Sequence, residues 1–197
     1  MSLTTLGLEL PTDLRWVNIA EMRIGDILID HAYCEQKAAS ACISLIVHYP
    51  EKTLLVEVLT PIVAEEWGHF QRVLKELRKR NIPLGHQRKD EYVRQLQPFM
   101  RHKGDYFDAL LDKLLCCALI EARSCERFKL LSEQLADESL RKFYRELMVS
   151  EAGHYRTFIE LAEAYVPKEQ VRQRWKEWLA VEADIMQKLE VRGDRMH

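Results

Sequence analysis

Two short motifs in the sequence pair a glutamate with a histidine three residues later. They are Glu66 with His69 and Glu151 with His154. Three residues is close to one helical turn, so on a helix the two side chains of each pair face the same way. A carboxylate and an imidazole on one helix face could bind a metal ion together. Ligation that is rich in oxygen, with one imidazole per metal, suits iron or manganese better than zinc, although affinity alone does not exclude zinc. Either motif by itself is a weak signal, because short motifs occur by chance.

Each motif is preceded by a lone glutamate at nearly the same distance. Glu35 lies 31 residues before Glu66, and Glu121 lies 30 residues before Glu151. Two helix-hairpin halves with this pattern are the layout of a dinuclear carboxylate site in the core of a helical bundle. Four buried carboxylates would repel one another, and two divalent cations would cancel their charge. The residues predicted to hold two metal ions are Glu35, Glu66, His69, Glu121, Glu151 and His154.

Neighbouring polar residues offer alternatives and additions to this set. Glu126 competes with Glu121, but it lies five positions further along, about 140° around the helix and off the apolar stripe. Glu65 and Ser150 each come directly before a motif. Both could orient the histidines of the opposite half through hydrogen bonds. They could equally be ordinary surface or packing residues.

Long helices must carry these residues. The chain has seven glycines and six prolines in 197 residues, too few for the many turns of a sandwich or a small barrel. Apolar residues instead recur at steps of three and four along four stretches. The predicted helices run from Ile24 to about Pro50, from near Thr53 to Asn81, from about Asp105 to Ala136, and from Asp137 through Leu161. Pro61 predicts either a kink in the second helix or a start nearer Thr60.

We therefore predict an all-α protein, a four-helix bundle with additional N-terminal and C-terminal helical segments. The core bundle spans about residues 24–165, with a short helix around residues 91–97 inside the longest connection. Pro167 is typical of a helix start and opens an extra C-terminal helix over about residues 167–191. Because no linker or low-complexity segment divides the chain, residues 1–197 are expected to form a single domain.

Composition narrows the class of protein further. The 29 Lys and Arg against 31 Asp and Glu leave a net charge of −2, which does not indicate a nucleic-acid-binding protein. Five cysteines without a C-x-x-C pair suit neither a disulfide framework nor a zinc knuckle. No apolar run reaches the roughly 18 residues that span a bilayer, and the first residues lack the features of a secretion signal. We expect a cytoplasmic protein with no membrane contact.

Three runs around the candidate ligands resemble one enzyme family. They are residues 33–40 (YCEQKAAS), residues 65–70 (EEWGHF) with the basic stretch at 72–80, and residues 150–155 (SEAGHY). From about residue 10 onward the chain resembles the tRNA hydroxylases that act on 2-methylthio-N6-isopentenyladenosine, within the ferritin-like diiron superfamily. The resemblance implies a nonhaem diiron monooxygenase that hydroxylates the isopentenyl group of this anticodon-adjacent base with O2 and external electrons.

The same resemblance implies the cofactor and the partners. Two iron ions would be held by the six residues named above, with Glu66 and Glu121, or their symmetric mates, as candidates to bridge them. The partners would be tRNA and an external electron-donor system, with no DNA.

One segment bears on the RNA partner independently of the resemblance. Residues 72–103 carry ten Lys and Arg against three acidic residues, a net charge of +7, while the remainder of the chain carries −9. A basic end on an acidic protein is expected for contact with a phosphate backbone. Basic residues near a helix C-terminus can also serve only the helix dipole and solvation. The residues predicted to contact tRNA are Arg78, Lys79, Arg80, Arg88, Lys89, Arg101 and Lys103.

Two alternative functions stay open at this point. One is a ferritin-like diiron or dimanganese oxidase or peroxidase that acts on a small molecule, for which the basic segment would be irrelevant. The other is an iron-binding or purely structural helical bundle, in which the buried glutamates and histidines serve only the fold.

Overall fold

The regular structure of the protein is helical. The computed structural model describes residues 5–101 and 106–197, and within those ranges it contains no strand. The helices are α1 (Arg15–Met22), α2 (Ile24–His48), α3 (Thr53–Lys79), α4 (Glu91–Leu96), α5 (Tyr106–Gln134), α6 (Glu138–Tyr165) and α7 (Lys168–Lys188). Two short 3-10 turns lie at Thr5–Gly7 and Gln97–Phe99. The four predicted long helices correspond to α2, α3, α5 and α6, and the predicted C-terminal helix corresponds to α7.

Local chemistry at the helix ends explains where α3 ends and α6 begins. Asn81 adopts a positive φ of 55° just past α3, and the Ile82 N–H donates to the Leu77 carbonyl at 3.0 Å. This left-handed turn satisfies a carbonyl that the helix leaves without a donor. At the start of α6, the Asp137 side chain accepts hydrogen bonds from the backbone N–H groups of Ser139 and Leu140, as the sequence predicts.

Pro61 lies inside α3 and does not end it. The helix begins at Thr53, so the alternative start near Thr60 is wrong. Proline removes one backbone donor, and the carbonyl of Glu57 loses its helical partner. Both Pro61 and Glu57 are exposed, so water can satisfy that carbonyl and the helix continues.

The described chain forms two compact units. The first, here called the α2–α3 unit, comprises residues 18–89 and 192–196. The second, the α5–α6 unit, comprises residues 5–17, 90–101, 106–191 and 197. Each unit is built on one helical hairpin, and each hairpin carries one half of the repeated glutamate and histidine pattern. The single-domain organisation stays a prediction.

The α2–α3 unit has an aliphatic core. Its fully buried members include Ile27 and Leu28 on α2 and Leu55, Leu59 and Val73 on α3. Burying each of these side chains contributes about 1.5–3 kcal/mol to folding before conformational entropy is counted. This core holds the two long helices against each other along the stripe that also carries the candidate ligands.

A buried ionic network joins α5 to α7 and to the N-terminal segment of the α5–α6 unit. Arg123 donates from Nε to Glu182 Oε1 at 2.8 Å and from Nη2 to Glu182 Oε2 at 2.9 Å. Its Nη2 also donates to the Leu10 carbonyl at 2.9 Å. Glu126 pairs with Arg123 and accepts from Thr12 Oγ1 at 2.6 Å. The guanidinium is fully buried, so its positive charge depends on these carboxylates.

Another buried carboxylate anchors the N-terminal part of α5. Asp112 is fully buried and accepts from Arg101 Nε at 2.9 Å and from Arg174 Nε at 2.8 Å. Burial alone would raise the pKa of Asp112, but the hydrogen bonds from Arg174 and Arg101 outweigh it and lower the pKa. α5 is therefore tied to α7 at two points that lie about three turns apart along α5.

Two further features concern the hydropathy of the helices and the cysteines. Among the described helices none is long and apolar enough to cross a lipid bilayer. The five cysteines all lie in the described ranges and form no disulfide. Cys42, Cys116 and Cys125 are buried, as is common for this small apolar side chain.

Candidate metal centre

Three predicted ligands converge inside the α2–α3 unit. Glu35 on α2 and Glu66 and His69 on α3 are buried, and one ligand atom from each lies within 4.8 Å of the others. His69 Nδ1 is 3.5 Å from Glu35 Oε2 and 3.7 Å from Glu66 Oε2. The spacing of one helical turn between Glu66 and His69 therefore places both side chains on the buried face of α3.

The charges of this group are strongly coupled. Burial alone would raise the pKa of Glu35, but hydrogen bonds with His31 and His69 outweigh it and hold the pKa well below its ordinary value. Burial opposes protonation of His69, yet hydrogen bonds with Glu35 and Glu66 raise its pKa to about 9. Without a metal the imidazole thus supplies the positive charge that two buried carboxylates require.

His31 is the residue of this group that sequence reasoning missed. It lies on α2 one turn before Glu35, is fully buried, and its Nε2 is 2.5 Å from Glu35 Oε1. The signal was present, since His31 falls on the same apolar stripe four residues before a predicted ligand. Histidines on the apolar face of a helix are common in protein cores, so the position alone did not identify His31 as part of the site.

The α5–α6 unit contains the matching set. Glu121 on α5 and Glu151 and His154 on α6 are buried, and one ligand atom from each lies within 4.8 Å of the others. The two units thus repeat the same three residue types, each on its own pair of helices. Each predicted triad comes together within its own unit.

The donor set of each unit fits a divalent metal ion. Two carboxylates and one imidazole are removed from water in each unit, and a dication would neutralise the two negative charges. Carboxylate oxygens with one imidazole are typical ligands of iron and manganese, whereas structural zinc sites are usually rich in cysteine or histidine. Each unit can therefore hold a metal ion through its own three residues.

Glu126, the competing candidate on α5, is occupied elsewhere. It is buried, but its carboxylate is bound to Thr12 and Arg123. The rotation that places it off the apolar stripe directs it into the buried ionic network. Of the two proposed orienting residues, Glu65 is exposed and Ser150 is half-buried, and their role stays a prediction.

The basic residues predicted to contact tRNA differ in how they are used. Arg101 is bound to Asp112 and Asp108, and Arg88 pairs with Asp26. Lys79 and Arg80 both pair with Glu76, at 2.6 and 2.7 Å. The exposed members are Arg78, Lys79 and Lys89, whereas Arg80, Arg88 and Arg101 are half-buried. Lys103 lies outside the described residues.

Comparisons with a family model and with known proteins point to the same family. Residues 3–197 match the family model described as tRNA-(MS[2]IO[6]A)-hydroxylase (MiaE). The tRNA 2-(methylsulfanyl)-N(6)-isopentenyladenosine(37) hydroxylase of Pseudomonas putida is 38% identical over 79% of this chain and 74% of its own length. The protein of the same name from Salmonella typhimurium is 36% identical over 67% of this chain. That match spans 47% of the Salmonella protein, about half its length.

A solved structure shares the fold. It is "Protein 43 with aldehyde deformylating oxygenase activity from Synechococcus", with a TM-score of 0.91 and 35% identity over 96% of this chain and 94% of the other. The predicted class, all-α and ferritin-like with additional terminal helices, is confirmed.

Proposed function

The chain belongs to the tRNA-(MS[2]IO[6]A)-hydroxylase family, and from this membership we propose that it is an O2-dependent diiron monooxygenase that modifies tRNA. Its substrate is 2-methylthio-N6-isopentenyladenosine next to the anticodon, and the reaction hydroxylates the isopentenyl group. The observation that carries the proposal is the pair of buried glutamate, glutamate and histidine sets, one in each unit. The enzyme works in the cytoplasm, where its tRNA substrate is found.

The chain's own residues hold the cofactor and protect it. The ligands of two iron ions are Glu35, Glu66, His69, Glu121, Glu151 and His154. When bound, the iron pair supplies the oxygen chemistry that protein side chains lack. Apolar neighbours on the same stripes, such as Leu59 on α3 and Leu147 on α6, are fully buried and exclude water. Exclusion of water favours oxidation of the substrate over side reactions.

The overall reaction balances only with an electron donor. One atom of O2 enters a C–H bond of the isopentenyl group and the other leaves as water, which consumes two electrons and two protons. A donor system outside the chain supplies these electrons. The target base is unpaired in the anticodon loop, so it can leave the stack and enter a pocket at modest cost.

The solved structure with aldehyde deformylating oxygenase activity supports a second candidate function. A chain of the same fold acts there on an aldehyde. The second candidate is therefore an oxygenase or oxidase whose substrate is a small molecule and whose basic segment has no RNA to bind.

Metal analysis and a tRNA assay test the proposal. We expect about two iron ions per purified chain, and a gain of one oxygen atom on the isopentenylated base after the reduced protein meets O2 and modified tRNA. Mass spectrometry of the nucleosides measures the product, and tRNA lacking the isopentenyl group is the control. Iron binding and O2 consumption without a product on tRNA would favour the small-molecule oxygenase. A folded protein that binds no metal under reducing conditions would reject both enzymes.

Removing the exposed cations should weaken tRNA binding. In the triple variant Arg78→Ala, Lys79→Ala, Lys89→Ala, the slope of log K against log salt should shrink by about 2–3, because three phosphate contacts are lost. Filter binding at several salt concentrations measures the slope, and the iron content should not change. The matched control removes three exposed cations outside residues 72–103, Lys129, Lys142 and Arg145. Equal effects of the two triples would show that these three cations form no specific tRNA contact.

A further inference from the structure

The two halves of the repeated pattern carry different residues four positions before the lone glutamate. The first half has His31 four residues before Glu35, and the offset of 86 residues from Glu35 to Glu121 places Cys117 at the equivalent position of the second half. His31 is fully buried, whereas Cys117 is half-buried. An imidazole is a strong hydrogen-bond donor and a thiol is a weak one. The glutamates of α2 and α5 therefore have unlike neighbours.

The contact made by His31 is specific in its atoms. Its Nε2 lies 2.5 Å from Glu35 Oε1, while Glu35 Oε2 faces His69 Nδ1 at 3.5 Å. The two oxygens of one carboxylate are thus divided between two histidines. Oε1 is committed within α2, and Oε2 is directed at the group of atoms that would ligate a metal.

We propose that His31 is a positioning residue that donates its Nε2–H to Oε1 of Glu35, so that Glu35 presents Oε2 to the metal. The inference rests on the diiron centre of the proposed function. Hydrogen bonds from residues behind the ligands fix ligand orientation at metal sites. Because Cys117 cannot supply an equal bond to Glu121, the two metal positions are chemically different and should differ in affinity.

Cobalt titration of the metal-free protein tests this inference without tRNA or turnover. We expect the wild-type chain to bind about two Co²⁺ in two distinguishable steps, followed by equilibrium dialysis and by visible absorption. His31→Leu should weaken one step by about 10–100-fold and leave the other unchanged. His31→Gln, whose amide can donate to Oε1, should recover most of the lost affinity. Cys117→Ala, which removes the weak thiol donor without adding a stronger one, is the matched control and should leave both steps unchanged.

The outcomes separate this inference from the proposed function. A wild-type chain that binds no cobalt overturns the metal centre itself. Two wild-type steps together with unaltered binding by His31→Leu overturn only the role of His31. Should circular dichroism show that His31→Leu does not fold, His31→Asn replaces it, because its shorter amide does not reach Oε1. Wild-type affinity in His31→Asn would overturn the inference, and a single weakened step would support it.

Discussion

Replacing Glu121 with alanine is expected to yield a folded protein that has lost one or both metal ions. Its hydroxylation rate should fall by more than about 100-fold, a larger loss than is typical when a residue that only orients a ligand is changed. Glu121 is one of two carboxylates in the buried set of the α5–α6 unit. Its removal leaves one carboxylate and one imidazole there, too few ligands to retain iron. Iron per chain and single-turnover oxidation of modified tRNA measure the loss.

The stability of metal-free Glu121→Ala should not fall, in contrast to its metal content and its activity. Glu121 and Glu151 bring two carboxylates together in a buried group, and like charges in a medium of low dielectric constant repel each other. Truncating one of them relieves that repulsion. The free energy of unfolding of the metal-free variant, measured in urea, should therefore match or exceed that of the metal-free wild type.

Glu126→Ala is the matched comparison on the same helix. It should retain about two iron ions per chain, because Glu126 is bound to Thr12 and Arg123. It should instead lower the stability of the fold, since Arg123 loses one of its two buried counter-charges. If Glu126→Ala lost its iron while Glu121→Ala kept it, the helical phase assigned to α5 would be wrong.

The largest effect on stability is expected at Arg123. Arg123→Ala should lower the free energy of unfolding by about 3–5 kcal/mol, the usual loss when a buried ion pair loses one partner. The variant leaves Glu126 and Glu182 buried without their shared cation. It also removes the hydrogen bond to the Leu10 carbonyl, so α7 and the N-terminal segment lose a common anchor on α5. Urea denaturation followed by circular dichroism measures the change.

An exposed ion pair provides the control for Arg123. Arg94 pairs with Glu91 at 2.6 Å on α4 with most of its side chain in water, so Arg94→Ala should cost less than about 1 kcal/mol. The combined variant Arg123→Met, Glu126→Leu, Glu182→Leu removes all three charges and should regain much of the lost stability. A loss below about 1 kcal/mol in Arg123→Ala would mean that the network contributes little beyond its packing.

Helix positions and the six ligand candidates were accessible from the sequence for a physical reason. Both depend on helical periodicity, which relates residues three or four apart, and on a repeat that relates the two halves of the chain. His69 and Glu66 therefore fall together without knowledge of the tertiary structure. The end of α3 and the start of α6 were also predictable, because Asn81 and Asp137 terminate helices through local bonds.

The remaining features depend on contacts that no local pattern encodes. Arg123 meets a carboxylate 59 residues away, and Thr12 meets one 114 residues away. Net charge along residues 72–103 likewise does not reveal that Arg101 and Arg88 are bound to carboxylates of the protein itself. Continuation of α3 through Pro61 depends on the exposure of that side of the helix, which is a tertiary property.

The two anchors of α5 determine where the chain tolerates a change of length. Asp112 is bound to Arg101 and Arg174, and Arg123 is bound to Glu182, which lies about two turns further along α7 than Arg174. One residue inserted or deleted between positions 112 and 121 would turn the following part of α5 by about 100° relative to the preceding part. Glu121 would leave the ligand set, and Arg123 would lose its pairing with Glu182, in the same event. Homologous chains that keep both anchors should therefore align through this interval without a gap.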